Sequence, residues 1–118
     1  MWSQRQGGVS YESGEGLAID PDGKTVVTGH FQGTGSFGSG PLSSNGNDDI
    51  FVAKFDPAGA PIWSRAFGGI GYDYGYVITT DADGNVVMAG RFENSVTFRG
   101  SSLTSAGGSD GFLVKLKK

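Results

Sequence analysis

The stretch Trp63-Ser64-Arg65-Ala66-Phe67-Gly68-Gly69-Ile70-Gly71-Tyr72-Asp73-Tyr74-Gly75 decides the fold, because the chain carries its pattern twice. Trp2-Ser3, Gly7-Gly8, Tyr11 and Gly14 stand 61 positions before their counterparts. Working outward, Asp20, Asp22 and Gly23 return as Asp81, Asp83 and Gly84, and Gly29 and Phe31 as Gly90 and Phe92. Phe37, Leu42, Gly46, Asp49, Phe51 and Lys54 return as Phe98, Leu103, Gly107, Asp110, Phe112 and Lys115. Residues 1–57 set against 62–118 give 19 identities in 57 positions without a gap. Self-similarity at a fixed period of this size is the mark of a repeat architecture.

The repeat explains the composition. Glycine supplies 22 of the 118 residues, well above its usual share of about 7%. Glycines that recur in register punctuate turns, which low-complexity sequence would not require. With 36% hydrophobic and 18% charged residues and a net charge of -3, the chain reads as a globular domain. Its acidity and scattered basic residues give nucleic acid no footprint. No apolar run has the length of a membrane span. The absence of cysteine excludes disulfides and thiolate chemistry.

Each copy is expected to form four short strands. The first lies at Gly16–Ile19 and Tyr76–Thr80, the second at Thr25–Thr28 and Val86–Ala89. The third lies at Ile50–Phe55 and Phe112–Leu116; the fourth is Pro61–Phe67, with its partner beginning at Trp2. These runs are rich in β-branched and aromatic residues and bounded by Gly, Asp and Asn. Asp20-Pro21-Asp22-Gly23, Asp81-Ala82-Asp83-Gly84 and Asp56-Pro57-Ala58-Gly59 read as hairpin turns. The Gly/Ser segments 32–47 and 93–109 read as long connections. Nearly continuous apolar runs such as Ile50–Ala53 suit a sheet covered on both faces.

A four-stranded antiparallel sheet repeated at about 60 residues is the sequence form of a β-propeller blade. The expectation is an all-β propeller with two blades per chain, over residues 2–62 and 63–118. A β-sandwich is the rival fold, but it does not require two gapless copies. The Trp-x-x-x-Phe-Gly-Gly-x-x-Tyr-Asp-x-Gly pattern at Trp63–Gly75 resembles the bacterial SBBP β-propeller repeat. So do Asp81-x-Asp83-Gly84-Asn85 running on to Gly90-x-Phe92, and Ser105-Ala106-Gly107 followed by Asp110–Leu116. The first copy departs at Gln6, where the second has Phe67. The resemblance implies the propeller fold, often on secreted or surface proteins of bacteria, and no particular ligand.

Two blades cannot close a ring, since propellers have about 4–8. The expected solution is head-to-tail homo-oligomerisation in which Trp2–Gln6 completes the second sheet of a neighbouring chain. Three chains would give six blades and four would give eight; the alternative origin is a piece of a longer propeller.

No catalytic constellation is visible, and the expectation is a protein that is not an enzyme and uses no cofactor. His30 is the sole histidine, and Arg91 stands at its repeat position, so it reads as a rim residue. The Asp-x-Asp-Gly segments lack the distal acid of a calcium loop and read as turn caps; no metal is expected. The Gly-rich runs lack the helix and the Gly-Lys-Ser/Thr ending of a phosphate loop. Binding is the more physical possibility. Tyr11, Glu12, Tyr72, Asp73 and Tyr74 should line one mouth of the channel. There, aromatics with nearby carboxylates suit a glycan or a basic peptide, and Trp2, Trp63 and Arg65 would offer a second, sugar-type site at the blade edge.

Overall fold

The computed structural model describes residues 1–118, which form ten strands in three antiparallel sheets with no helix. The central sheet is a four-stranded meander. Its strands are β2 (Glu12–Ile19), β3 (Thr25–Phe31), β6 (Asp49–Phe55) and β7 (Pro61–Phe67), adjacent in that order. The repeat appears as a three-stranded meander of β8 (Asp73–Thr80), β9 (Val86–Phe98) and β10 (Ser101–Leu116). Register is preserved: Val52 faces Thr28 across the first sheet as Leu113 faces Ala89 across the second.

The recurring aspartates make the turns. Asp20 Oδ1 accepts the N–H groups of Asp22 and Lys24, both at 2.9 Å. Asp81 Oδ1 does the same for Asp83 and Asn85, and Asp56 Oδ1 for Ala58 and Ala60. Gly23 and Gly84 complete their turns at φ values of +81° and +83°, where a side chain would be strained. Gly29 and Gly90 serve a different need. A β-carbon on either would fall on a carbonyl oxygen of the adjacent strand, that of Ser13 or Tyr74, beside a bulge in each first strand.

The Gly/Ser segments read as loops are largely strand. Thr34–Ser36 (β4) and Pro41–Ser43 (β5) form a hairpin, and β4 also pairs with Gly7–Gly8 (β1). In the second copy, β9 and β10 simply run on to Phe98 and from Ser101. The cause is one aromatic at the same repeat position in each. Phe37 stacks on Phe51 at 4.2 Å, and Phe98 lies 5.1 Å from Phe112. Burial of that ring overrides a composition that favours loops.

Trp2–Gln6, expected to join the sheet of a neighbouring chain, is not a strand within its own chain. The segment is nevertheless anchored. The Trp2 ring lies 6.4 Å from Phe55, its indole N–H donates to the Pro57 carbonyl at 3.3 Å, and the Gln4 amide donates to the Gly59 carbonyl.

Every residue of β6 is buried, since the first sheet is covered on both faces. Ile50 and Val52 enter the larger core with Met88, Phe92, Phe112 and Leu116 of the second sheet. Phe51, Ala53 and Phe55 enter a smaller core with Phe31 and Phe37. The sheets approach most closely near β8, where a β-carbon on Gly75 would strike Thr28 Oγ1 and crowd Ile50. The second sheet is covered on one face alone. Leu113, at the position of the fully buried Val52, is 73% exposed.

Candidate binding seam between the sheets

Several of the aromatic residues singled out in the sequence meet where the first strands of the two sheets begin. Tyr72, just before β8, and Tyr74 and Tyr76 on it form a ladder with near-parallel rings at 6.2 and 5.9 Å. His30, from β3, sets its ring edge-on to Tyr74 at 4.4 Å, and Tyr11 lies 5.8 Å from His30. The Arg91 guanidinium lies over the Tyr74 ring, 4.8 Å from its centroid, a cation–π geometry. Tyr11, Tyr72, Tyr76 and Arg91 are exposed, whereas His30 is buried. The seam thus offers solvent an aromatic ribbon with one fixed cation.

His30 is a member of the seam, although its sequence context read as a rim. Burial lowers its pKa, and the nearby Asp48 and Glu15 charges oppose that shift. Its Nδ1 has no hydrogen-bond partner and lies 3.9 Å from Glu15 Oε1. Asp48 contributes a second unpartnered buried atom, Oδ1; burial and Asp48 together raise the Tyr74 pKa. Arg91 and Tyr76 were not singled out from sequence. Their signal was present: Arg91 occupies the repeat position of His30, and Tyr76 continues the alternation of Tyr72 and Tyr74.

Glu12 and Asp73 hold backbone in place. Glu12 Oε1 accepts the Gly8 N–H at 2.9 Å, and Asp73 Oδ2 accepts the Gly69 N–H at 3.0 Å. Asp73 is fully buried, and its own N–H donates to the Asp48 carbonyl at 2.7 Å. Burial pushes its carboxyl pKa up to about 6, and burial pushes that of Asp49 to about 7, against the pull of the Asn45 N–H.

Trp63 and Arg65 lie away from the seam, on β7. The Arg65 guanidinium stacks 4.3 Å from the Trp63 ring, which packs partly buried against the larger core. Burial depresses the Arg65 pKa, with the Arg99 charge adding to the effect. The largest concavity, about 450 Å³, is elsewhere again, beside β10 between Phe98, Leu103 and Leu113.

No protein-family model matches the chain. Among known proteins it is similar to an uncharacterized WD repeat-containing protein of Acanthamoeba polyphaga mimivirus, 30% identical over 91 residues. That match covers 69% of this chain, which spans about 7% of the length of the relative.

Proposed function

We propose that the chain is a two-blade unit of a β-propeller, of the SBBP type. It acts as a non-catalytic scaffold, and further copies of itself complete the ring head to tail. One observation carries the reading: the contact between the two sheets has both of its halves repeated, unused, on the outside. Val52 is fully buried against the second sheet, while its counterpart Leu113 is 73% exposed. In the reverse sense, Ile78 is 6% exposed, while its counterpart Leu17 on the first sheet is 66% exposed. A second copy that offers Leu17 and Ile19 to the face of Leu113 and Val77 would repeat a contact the chain already makes. Such an interface is heterologous, and it closes into a ring when the rotation between successive copies divides a full turn. The WD repeat similarity supports a repeat scaffold of this kind, since WD repeats are propeller blades.

Absolute mass from light scattering on a sizing column tests the reading. Three or four times the 12.2 kDa chain is the expected result, for six or eight blades. A stable single chain would overturn it and leave the β-sandwich as the better description.

The aromatic seam favours a second reading, a multivalent glycan-binding propeller. Exposed tyrosine faces with a nearby cation suit the apolar faces and hydroxyls of sugars, and repetition around a ring adds avidity. Binding on a glycan array that disappears in Y72A and Y76A variants would support it. An array profile that these changes leave intact would remove it.

A further inference from the structure

We infer that Arg65 and Arg99 form a two-arginine clasp for a phosphate group, free or carried as a monoester. The clasp lies within one chain, so it stands apart from the closure of the ring.

Strand β7 builds one half. Trp63, Arg65 and Phe67 alternate along it and share one face. That face looks onto the second sheet, because Trp63 packs against the larger core, Phe67 belongs to it, and the Phe67 ring meets Phe98 at 5.2 Å. Arg65 stands between the two, its guanidinium held over the Trp63 ring at 4.3 Å. The residue is partly exposed, but its Nη1 is buried and has no hydrogen-bond partner. A buried donor on a charged group is costly to leave unsatisfied. The place calls for an acceptor that the protein does not supply.

The turn between β9 and β10 builds the other half. Phe98 leads directly into Arg99-Gly100, whose φ values are +46° and +93°. Both positions of such a turn favour glycine or asparagine, and an arginine there is strained. In the first copy Gly38 stands at the position of Arg99, at φ +110°, and Gln4 stands at the position of Arg65. The blade pattern therefore needs neither cation, and only this junction carries both. Arg99 is exposed.

The two charges are neighbours. After burial, the Arg99 charge is what depresses the Arg65 pKa. Neither guanidinium enters an ion pair, although the chain has 12 acidic residues against 9 basic ones. Two unpaired cations held close together repel unless an anion joins them. A carboxylate would bring a single charge, and one arginine fork already matches its two oxygens. A phosphate group brings about −1.5 to −2 charge and three acceptor oxygens, enough to engage both forks.

Calorimetric titration of the full chain, in a low-salt buffer free of phosphate, tests this with inorganic phosphate and with glucose 6-phosphate. At least one of the two should bind at one site per chain and raise the Tm at millimolar concentration. The variants R65Q and R99G place the residue of the other copy at each position, so both stay within what the fold accepts. Each should weaken binding roughly tenfold or more. R99G alone should melt no lower than the parent, since it removes strain and repulsion, yet the ligand should no longer raise its Tm. Binding that both variants retain would overturn the inference, because the anion would then sit elsewhere. A parent that shows neither heat nor a Tm shift with either probe would overturn it as well. Tighter binding of glucose 6-phosphate assigns the site to a monoester; equal or weaker binding assigns it to free phosphate.

Discussion

The Lys54 ammonium lies 3.1 Å from the Asp20 carboxylate, with both side chains almost wholly buried. The pair ties the third strand of the first sheet to the turn between its first two. Burial pushes the Asp20 carboxyl up, but the Lys24 N–H, Lys54 and the Asp22 N–H together hold its pKa below the ordinary value. The equivalent pair, Lys115 and Asp81 at 2.6 Å, is open to solvent. Loss of one partner from a buried pair costs about 3–5 kcal/mol, because the other is left uncompensated. An exposed pair contributes about 0–1 kcal/mol. Urea denaturation should therefore find D20N strongly destabilised and D81N close to the parent.

Stability should fall as pH rises from about 4 to 7. Asp49 and Asp73 titrate near 7 and 6 in the folded protein, against an ordinary 3.8. Across that window the folded state keeps protons that the unfolded state has released, so the slope is negative. Asp20 and Asp81, whose pKa values are lowered, act in the opposite sense below about pH 4. The Tm should peak between these ranges. D49N, which retains an acceptor for the Asn45 N–H, should flatten the fall; an unchanged profile would place the titration elsewhere.

Phe37 is the residue that makes structure of a Gly/Ser segment. It is fully buried, stacks on Phe51 at 4.2 Å and meets Phe31 at 5.1 Å. F37A should cost about 3–5 kcal/mol by its cavity. Hydrogen exchange should also show the β4–β5 hairpin losing protection ahead of the central sheet.

Leu113 separates folding from assembly. At 73% exposure, its replacement by Arg should change the stability of the single chain by no more than about 0.5 kcal/mol. The same substitution should reduce the solution mass to one chain. If L113R retains the full assembly, the second sheet meets its partner by another face.

Strand order and turns were legible because local chemistry specifies them. Asp20, Asp56 and Asp81 cap turns wherever they are placed, and the apolar runs between can only pair with one another. The hairpin of β4 and β5 was not legible, since its cause is a contact between Phe37 and Phe51, distant in sequence. The seam was half legible for a related reason. Tyr11 and Tyr72 stood out by repetition and Tyr74 by its place beside Tyr72, but His30 and Arg91 differ between copies; Arg91 meets Tyr74 by pairing across β8 and β9, and His30 meets it only through the packing of the sheets. Glu12 and Asp73 looked like ligand carboxylates because a sequence does not reveal which backbone N–H will claim them.

Gly75 governs a quantity that no side chain in the seam controls, the wedge angle between successive sheets. A β-carbon there would meet Thr28 and Ile50 of the preceding sheet and force the inner edges apart. In the ring proposed above, every junction within a chain would open by the same increment. The number of subunits is then a matter of angular geometry, fixed by how closely two backbones approach near the axis and indifferent to how tightly the copies bind.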